Sequence, residues 1–192
     1  MSTNPIRDEL PAYISVDVET SGPVPEEYAL LSIGACTLDG GERFYVELQP
    51  TSLHAQAEAM RVHGLSLERL AQEGLPPQAA MARLDAWLAQ AVPAGEKPIF
   101  VAFNAAFDWM FVNQYFLRYL GHNPFGHSAL DIKAVYMGAF GVPWRETSYR
   151  HIARLDQDLN PLSHHALDDA LQQARLFRLV LQRLIDRPAE GG

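Results

Sequence analysis

Cysteine is all but absent from this chain. Cys36 stands alone in the apolar run LLSIGACTL, which excludes an internal disulfide and makes the thiol an ordinary core group. Long apolar runs are missing too, since none approaches the ~18 residues that a membrane-crossing helix needs. The opening MSTNPIRDELP has neither the basic nor the apolar stretch of a secretory leader. Together these absences predict a cytoplasmic protein with no membrane partner. Positive charge is scarce as well: 15 Lys and Arg face 23 Asp and Glu, for a net charge of −8. That balance argues against a surface that coats long duplexes. It leaves room for a short single-stranded end, because divalent cations held by some of the acids would reverse the local sign. Repeats and low-complexity tracts are absent. What remains is 192 residues, 48% hydrophobic and 20% charged, enough for one domain with a buried core (about 11–186) between loose tails.

The stretch YISVDVETSG, from Tyr13 to Gly22, alternates β-formers in the manner of a half-buried strand. Ile14, Val16 and Val18 share one face, and Ser15, Asp17 and Glu19 the other. Two like charges about 7 Å apart on a sheet repel, the more so when partly buried, so something positive is expected beside them. Further strands are predicted at about 29–38 and 42–49, joined by a hairpin turn at Asp39-Gly40-Gly41. Short helical pieces broken at Gly64 and Gly74 fill 53–74, and a helix follows Pro76-Pro77 to about Val92. KPIFVAFN (97–104) reads as a buried strand, with Asn104 placed to cap a helix over 106–120 that Gly121 ends. Helices are expected over 129–139, 147–155 and 164–186, the last amphipathic through Ala166, Ala170, Ala174, Phe177, Val180, Leu181 and Leu184. A meander followed by helix, strand and helix implies an α/β fold, a mixed sheet with helices on both faces.

Three acidic segments stand at element junctions: Asp17-Val18-Glu19, FNAAFDWMF with Asp108, and SHHALDDALQQA with His164, His165, Asp168 and Asp169. Taken singly, each has a plain reading as a solvent-facing pair, a first-turn acid compensating a helix dipole, or a capping residue. Jointly, carboxylates from three elements are what oxygen-seeking divalent ions require. Two Mg²⁺ or Mn²⁺ ions ~3.5–4 Å apart would stabilise attacking and leaving oxygens of a phosphoryl displacement. A histidine, with an unperturbed pKa of ~6.5, would take the proton of the attacking water.

VDVETSG, FNAAFD and HHALDDA, in this order, resemble the three motifs of the DEDDh superfamily of 3′–5′ exonucleases, which includes proofreading subunits, oligoribonuclease and ribonuclease T. The likeness runs from about residue 12 to 183 and is greatest to the ribonuclease T branch, where NPF at 123–125 and Asp131 also recur. It implies a ribonuclease H-like five-stranded sheet and hydrolysis of single-stranded RNA or DNA to nucleoside 5′-monophosphates. Asp17 would bridge two metal ions, Glu19 and Asp169 would hold the ion on the nucleophile side, and Asp108 would complete the set. The catalytic histidine lies five residues before the last aspartate, which selects His164 over His165, leaving His165 and Asp168 as flanking residues. A homodimer is likewise implied.

The chain departs from that pattern around the base pocket. Phe103 stands where many relatives carry histidine, and Pro23, Val62 and Ser128 stand where ribonuclease T-like enzymes wedge aromatics. Phe107 matches one wedge and Glu58 an acidic contact; Thr20, Asn104 and His63 complete the candidate substrate contacts, with Leu65 beside His63 in the groove. Trp109, Phe111 and Tyr115 follow helical spacing and read as packing. Arg145, Arg150, His151 and Arg154 form either a solvated face or a contact with substrate phosphates. The rival readings are an oligoribonuclease-like hydrolase of very short RNA, a nucleic-acid-binding adaptor without chemistry, and a structural Ca²⁺ site.

Overall fold

Aliphatic alternation through residues 13–20 builds the central strand of a five-stranded sheet in this computed structural model, which describes residues 5–159 and 161–186. A five-residue helix, α1 (Pro5–Glu9), and a 3-10 turn lead into β1 (Tyr13–Thr20). β2 (Leu30–Thr37) and β3 (Arg43–Glu47) continue the antiparallel meander. At its hairpin, Asp39 accepts the Gly41 N–H at 3.0 Å while Gly40 adopts φ 74°. α2 (Ala57–His63), α3 (Leu67–Glu73) and α4 (Pro77–Ala91) cross over to β4 (Ile99–Ala102), which pairs parallel to β1. α5 (Ala105–Leu120) leads to β5 (Ala129–Asp131), α6 (Ile132–Phe140), α7 (Tyr149–Ile152) and finally α8 (Ala166–Ile185). The strand order is β3-β2-β1-β4-β5. Among the described residues no helix is long and apolar enough to cross a membrane.

Two cores sandwich the sheet, and β1 separates them by the period of two. Ile14, Val16 and Val18 pack with Met81 and Leu84 of α4 and with Phe111 and Tyr115 of α5. Tyr13 and Cys36 pack with Ala170, Ala174 and Phe177 of α8 and Ile132 of α6. Cys36 is the buried core thiol the sequence predicts. A third, small cluster joins Leu31 to Leu70 under α2 and α3.

The structure corrects four expectations. Residues 129–131 are strand, not helix, because they complete the parallel ladder on Phe100, Val101 and Ala102. The last helix begins at Ala166 instead of 164, since His164 turns into the left-handed region at φ 58°. The helix α1 has no counterpart among the expected elements. Asn104 occupies the N-cap position of α5 but in the left-handed region, at φ 65°, and without a side-chain capping bond; the Ala105 N–H is taken by Asp131 Oδ2 at 2.8 Å. The tail RPAEGG lies outside the described residues.

Candidate active site

The carboxyl end of β1 presents Ser15, Asp17 and Glu19 to α8, as the alternation requires. Ser15 Oγ donates to the Ala170 carbonyl at 2.8 Å. Gln173 binds two strands at once: its Nε2 donates to Asp17 Oδ1 at 2.5 Å and its Oε1 accepts the Phe103 N–H at 2.9 Å. The close approach of α8 depends on Gly34, which pairs with Asp17 across the sheet. A Cβ there would lie 2.1 Å from the Ala166 carbonyl carbon and 2.2 Å from the Leu167 nitrogen. A glycine inside a strand marks such backbone contact. Sequence reasoning passed over both Gly34 and Gln173, although the mid-strand glycine was a readable signal.

Asp108 sits in the first turn of α5, 4% exposed, and its Oδ1 accepts the Val18 N–H at 3.1 Å. The second motif is thereby tied to the first. Asp131 braces the same corner, accepting from Ala105 and, at 3.0 Å, from Ala134 as the N-cap of α6.

Asp169 enters from α8 and organises the loop before it. Its Oδ1 accepts the Ser163 N–H at 2.8 Å and the Ser163 hydroxyl at 3.1 Å, while its Oδ2 accepts the His164 N–H at 2.9 Å. Those bonds hold His164 in its left-handed conformation, a strain of the kind that persists only when its surroundings over-determine it. Asn104 and His164 are the two non-glycine residues with positive φ among the described residues, and both stand at the junctions that carry the acids. His165 faces elsewhere: its ring stacks on Tyr45 (centroids 4.5 Å apart, planes at 25°) and its Nδ1 lies 3.5 Å from Asp168. Tyr45 in turn donates to Glu47, which Arg69 clamps at 2.6 and 2.9 Å.

Four carboxylates therefore converge. Burial, followed by the charges of Asp108, Glu19 and Asp169, holds the Asp17 carboxyl well above the usual range. Burial, then Asp169 and Asp108, pushes Glu19 up to about 8. Burial, with a further contribution from Asp131, pushes Asp108 up to about 8 against the opposing pull of the Val18 N–H. No Lys or Arg among the described residues forms an ion pair with any of the four. Among the described residues, then, no lysine or arginine supplies the expected positive partner. One ligand atom each of Glu19, His164 and Asp169 lies within 4.8 Å of the others. Hard oxygen donors in excess, with unrelieved repulsion, fit divalent cations.

Beside Glu19 a cavity of about 280 Å³ opens, lined by Val18, Glu19, Thr20, Glu58, His63 and Phe107, among others. Four of the predicted substrate contacts meet there. Pro23 and Val62 also line it, so its wall is aliphatic where the family pattern has aromatics. Asn104 is exposed on the turn entering α5 and does not line this cavity. His63 is fixed as a neutral tautomer: its Nδ1 accepts the Leu65 N–H at 3.1 Å, so its Nε2 donates to the Thr20 carbonyl at 3.2 Å. Burial lowers its pKa, and the nearby His164 lowers it further. With His63 bonded on both nitrogens and His165 stacked away, His164 offers the free imidazole at the acids. Trp109, Phe111 and Tyr115 pack as predicted; Trp109 meets Phe100 edge-on at 5.2 Å. A larger cavity, about 610 Å³, lies among Leu10, Leu38, Val92 and Arg178 and contains none of the acidic residues of the centre.

The chain is similar to known proteins in sequence and in fold. The model of the exonuclease family matches residues 14–177. Over 176 residues the chain is 46% identical to the 3′–5′ DNA exonuclease Cap18 of Escherichia coli, covering 91% of this chain and 94% of that one. Its fold is similar to the nuclease domain of 3′hExo, a DEDDh family member bound to rAMP (TM-score 0.70, 16% identity, 88% of this chain and 92% of that one). It is also similar to the zinc-bound E. coli ExoI–ssDNA complex (TM-score 0.70, 20% identity), covering 91% of this chain and 41% of that one.

Proposed function

Because the chain belongs to the exonuclease family, within the DEDDh superfamily of 3′–5′ exonucleases, we propose that it shortens single-stranded DNA from the 3′ end with two Mg²⁺ or Mn²⁺ ions. The observation that carries this reading is the convergence of Asp17, Glu19, Asp108 and Asp169 from three separate elements beside His164. DNA is favoured over RNA by the 46% identical relative, whose name is that of a DNA exonuclease.

Asp17, in the field of all three other carboxylates, would hold the ions together with Glu19, Asp108 and Asp169. When bound, such ions polarise the attacking water and stabilise the charge that develops on the departing oxygen. Each remaining part of the reaction falls to the chain. The cavity at Thr20, Phe107 and His63 receives the last nucleoside, which places the last phosphate at the carboxylates. His164 accepts the proton as the water oxygen bonds to phosphorus. The bond from phosphorus to the 3′ oxygen of the preceding nucleotide breaks, and that oxygen takes up a proton from solvent. The product is a nucleoside 5′-monophosphate.

The test is mass spectrometry of products from matched DNA and RNA 20-mers labelled at the 5′ end, with Mg²⁺ and with chelator. Stepwise release of deoxynucleoside 5′-monophosphates, stopped by chelator, is expected. Release from RNA alone would overturn the DNA assignment in favour of a short-RNA hydrolase. A lack of release from both would overturn the reading itself.

A further inference from the structure

The segment from α6 to α7 stands out against the charge of the whole. Residues 132–155 hold Lys133, Arg145, Arg150 and Arg154 against the single acid Glu146, a local +3 in a chain of net −8. Arg150 and Arg154 are exposed, and neither forms an ion pair among the described residues. Arg145 reaches only Glu146, at 3.6 Å, on an open surface. Elsewhere Arg69 and Arg175 are committed to Glu47 and Asp156. Among these cations stands Trp144, 53% exposed, with Lys133 Nζ 4.2 Å from its ring centre. Met137, one turn beyond Lys133 on α6, is also exposed. A large indole left in water beside unpaired cations is what binds single strands: a flat surface for bases and charge for phosphates.

The segment is moored to the active site at both ends. α6 starts from Asp131, which holds the Ala105 N–H just before Asp108. α7 returns through Tyr149, which meets Phe103 edge-on at 5.6 Å, donates to Gln172 at 3.0 Å and lies in the field of Asp169. α6 packs with α8 on the sheet face opposite the one that carries Val18. A strand whose last nucleoside fills the cavity beside Val18 and Phe107 must leave the carboxylates on another side. On an otherwise acidic chain, this strip is where a polyanion can go.

We propose that residues 133–154 form the docking strip for single-stranded nucleic acid upstream of the scissile phosphate. Trp144 stacks against a base, and Lys133, Arg150 and Arg154 hold phosphates. This inference rests on the nuclease reading and assigns where the rest of its substrate lies.

Fluorescence anisotropy with Mg²⁺ tests it, using a 20-mer and a dinucleotide whose linkages are phosphorothioates that resist hydrolysis. Arg150→Ala combined with Arg154→Ala should reduce the slope of log affinity against log salt by roughly 1.4, at ~0.7 for each phosphate no longer neutralised. Trp144→Ala should weaken 20-mer binding roughly tenfold, as expected when one base has nothing to stack on. Dinucleotide binding should stay within about twofold, because a dinucleotide ends at the carboxylates. An unchanged slope and affinity for the 20-mer, or equal weakening on the dinucleotide, would overturn the strip. Mononucleotide release by the unaltered protein is measured alongside on ordinary DNA. Binding that depends on the strip without release would sink the nuclease reading alone, and release with binding indifferent to the strip would sink this inference alone.

Discussion

The carboxylate centre and the cavity beside it share Glu19 but are built on different terms. In the centre, each acid comes from a strand or from a helix turn bound to one: Asp17 is held by Gln173, Asp108 by the Val18 N–H, and Asp169 by three donors of its own loop. The cavity's outer wall is α2, a seven-residue helix with no fully buried residue. It is attached through the Gln56 N–H to the Ser21 carbonyl, through His63 to Thr20, and by Met60 packing on the small third cluster. Regions with few buried contacts open at low free-energy cost. On the proposed function, the chemistry would rest on the sheet and the choice of nucleotide on a lightly held helix. Changes in the centre should lower kcat, whereas changes in the wall should raise KM.

The largest test of that contrast is Asp17→Asn. It keeps the size of the side chain and an acceptor for Gln173 while removing one of the four charges proposed to hold metal. We expect kcat to fall on the order of 10³–10⁵-fold with the fold intact. The metal-free protein also carries a pH signature. Glu19 and Asp108 titrate at about 8 when folded, against about 4 unfolded. Acids whose folded pKa is raised bind more protons in the native state, so the contribution of this pair to stability is fully present below about pH 4 and is lost as pH rises toward 8. Thermal melts in chelator should show that decline, Asp17→Asn should flatten it, and Mg²⁺ should raise Tm more at pH 8 than at pH 5. A melting curve rising with pH over this window would contradict the burial and mutual repulsion that raise these two acids.

His164→Ala comes next, with an expected drop of roughly 10²–10⁴-fold in kcat, the usual contribution of a positioned base. Metal-dependent stabilisation should persist, since Asp17, Glu19, Asp108 and Asp169 remain. A kcat within tenfold of the unaltered enzyme would remove His164 from the proton transfer.

How much of this was legible follows the same division. The first four strands, the hairpin at Asp39-Gly40-Gly41 and all three acidic segments could be read directly, because alternation and helix starts are local signals and acids at such junctions are conspicuous. β5 was missed because three residues that pair only with distant Phe100, Val101 and Ala102 leave no local pattern distinct from the helix behind them. Asn104 misled because its side chain is suited to capping, whereas its backbone turns into the left-handed region at φ 65°, away from the extended conformation in which a capping side chain reaches the first turn. The cavity was half legible: Thr20, Glu58, His63 and Phe107 line it, yet its aliphatic wall depends on how α2 rests on the loop at Ser21.

On the wall side, Phe107→Ala should raise KM roughly tenfold, as expected when one stacking surface is removed, with kcat changing little. The residue sits one position before Asp108, so it also measures how sharply the two regions divide. A fall in kcat as large as that of His164→Ala would show that the wall and the centre act as one unit.

The smallest effect expected comes from the neighbouring histidine. His165→Ala removes the ring stacked on Tyr45 and the pairing with Asp168 but leaves the three bonds from Ser163 and His164 to Asp169. A stacked pair of this kind contributes ~0.5–1.5 kcal/mol beyond its buried area. The loop should therefore stay in place, with Tm falling by a few degrees at most and kcat by about threefold or less, since the change bears on the approach of the loop and not on the proton transfer. The order of the two variants is what matters. Adjacent histidines in SHHALDD are assigned different roles because one adopts φ 58° and turns to the acids while the next stacks on Tyr45 of β3. Were His165→Ala to cost more than His164→Ala, the roles assigned to the pair would have to be exchanged.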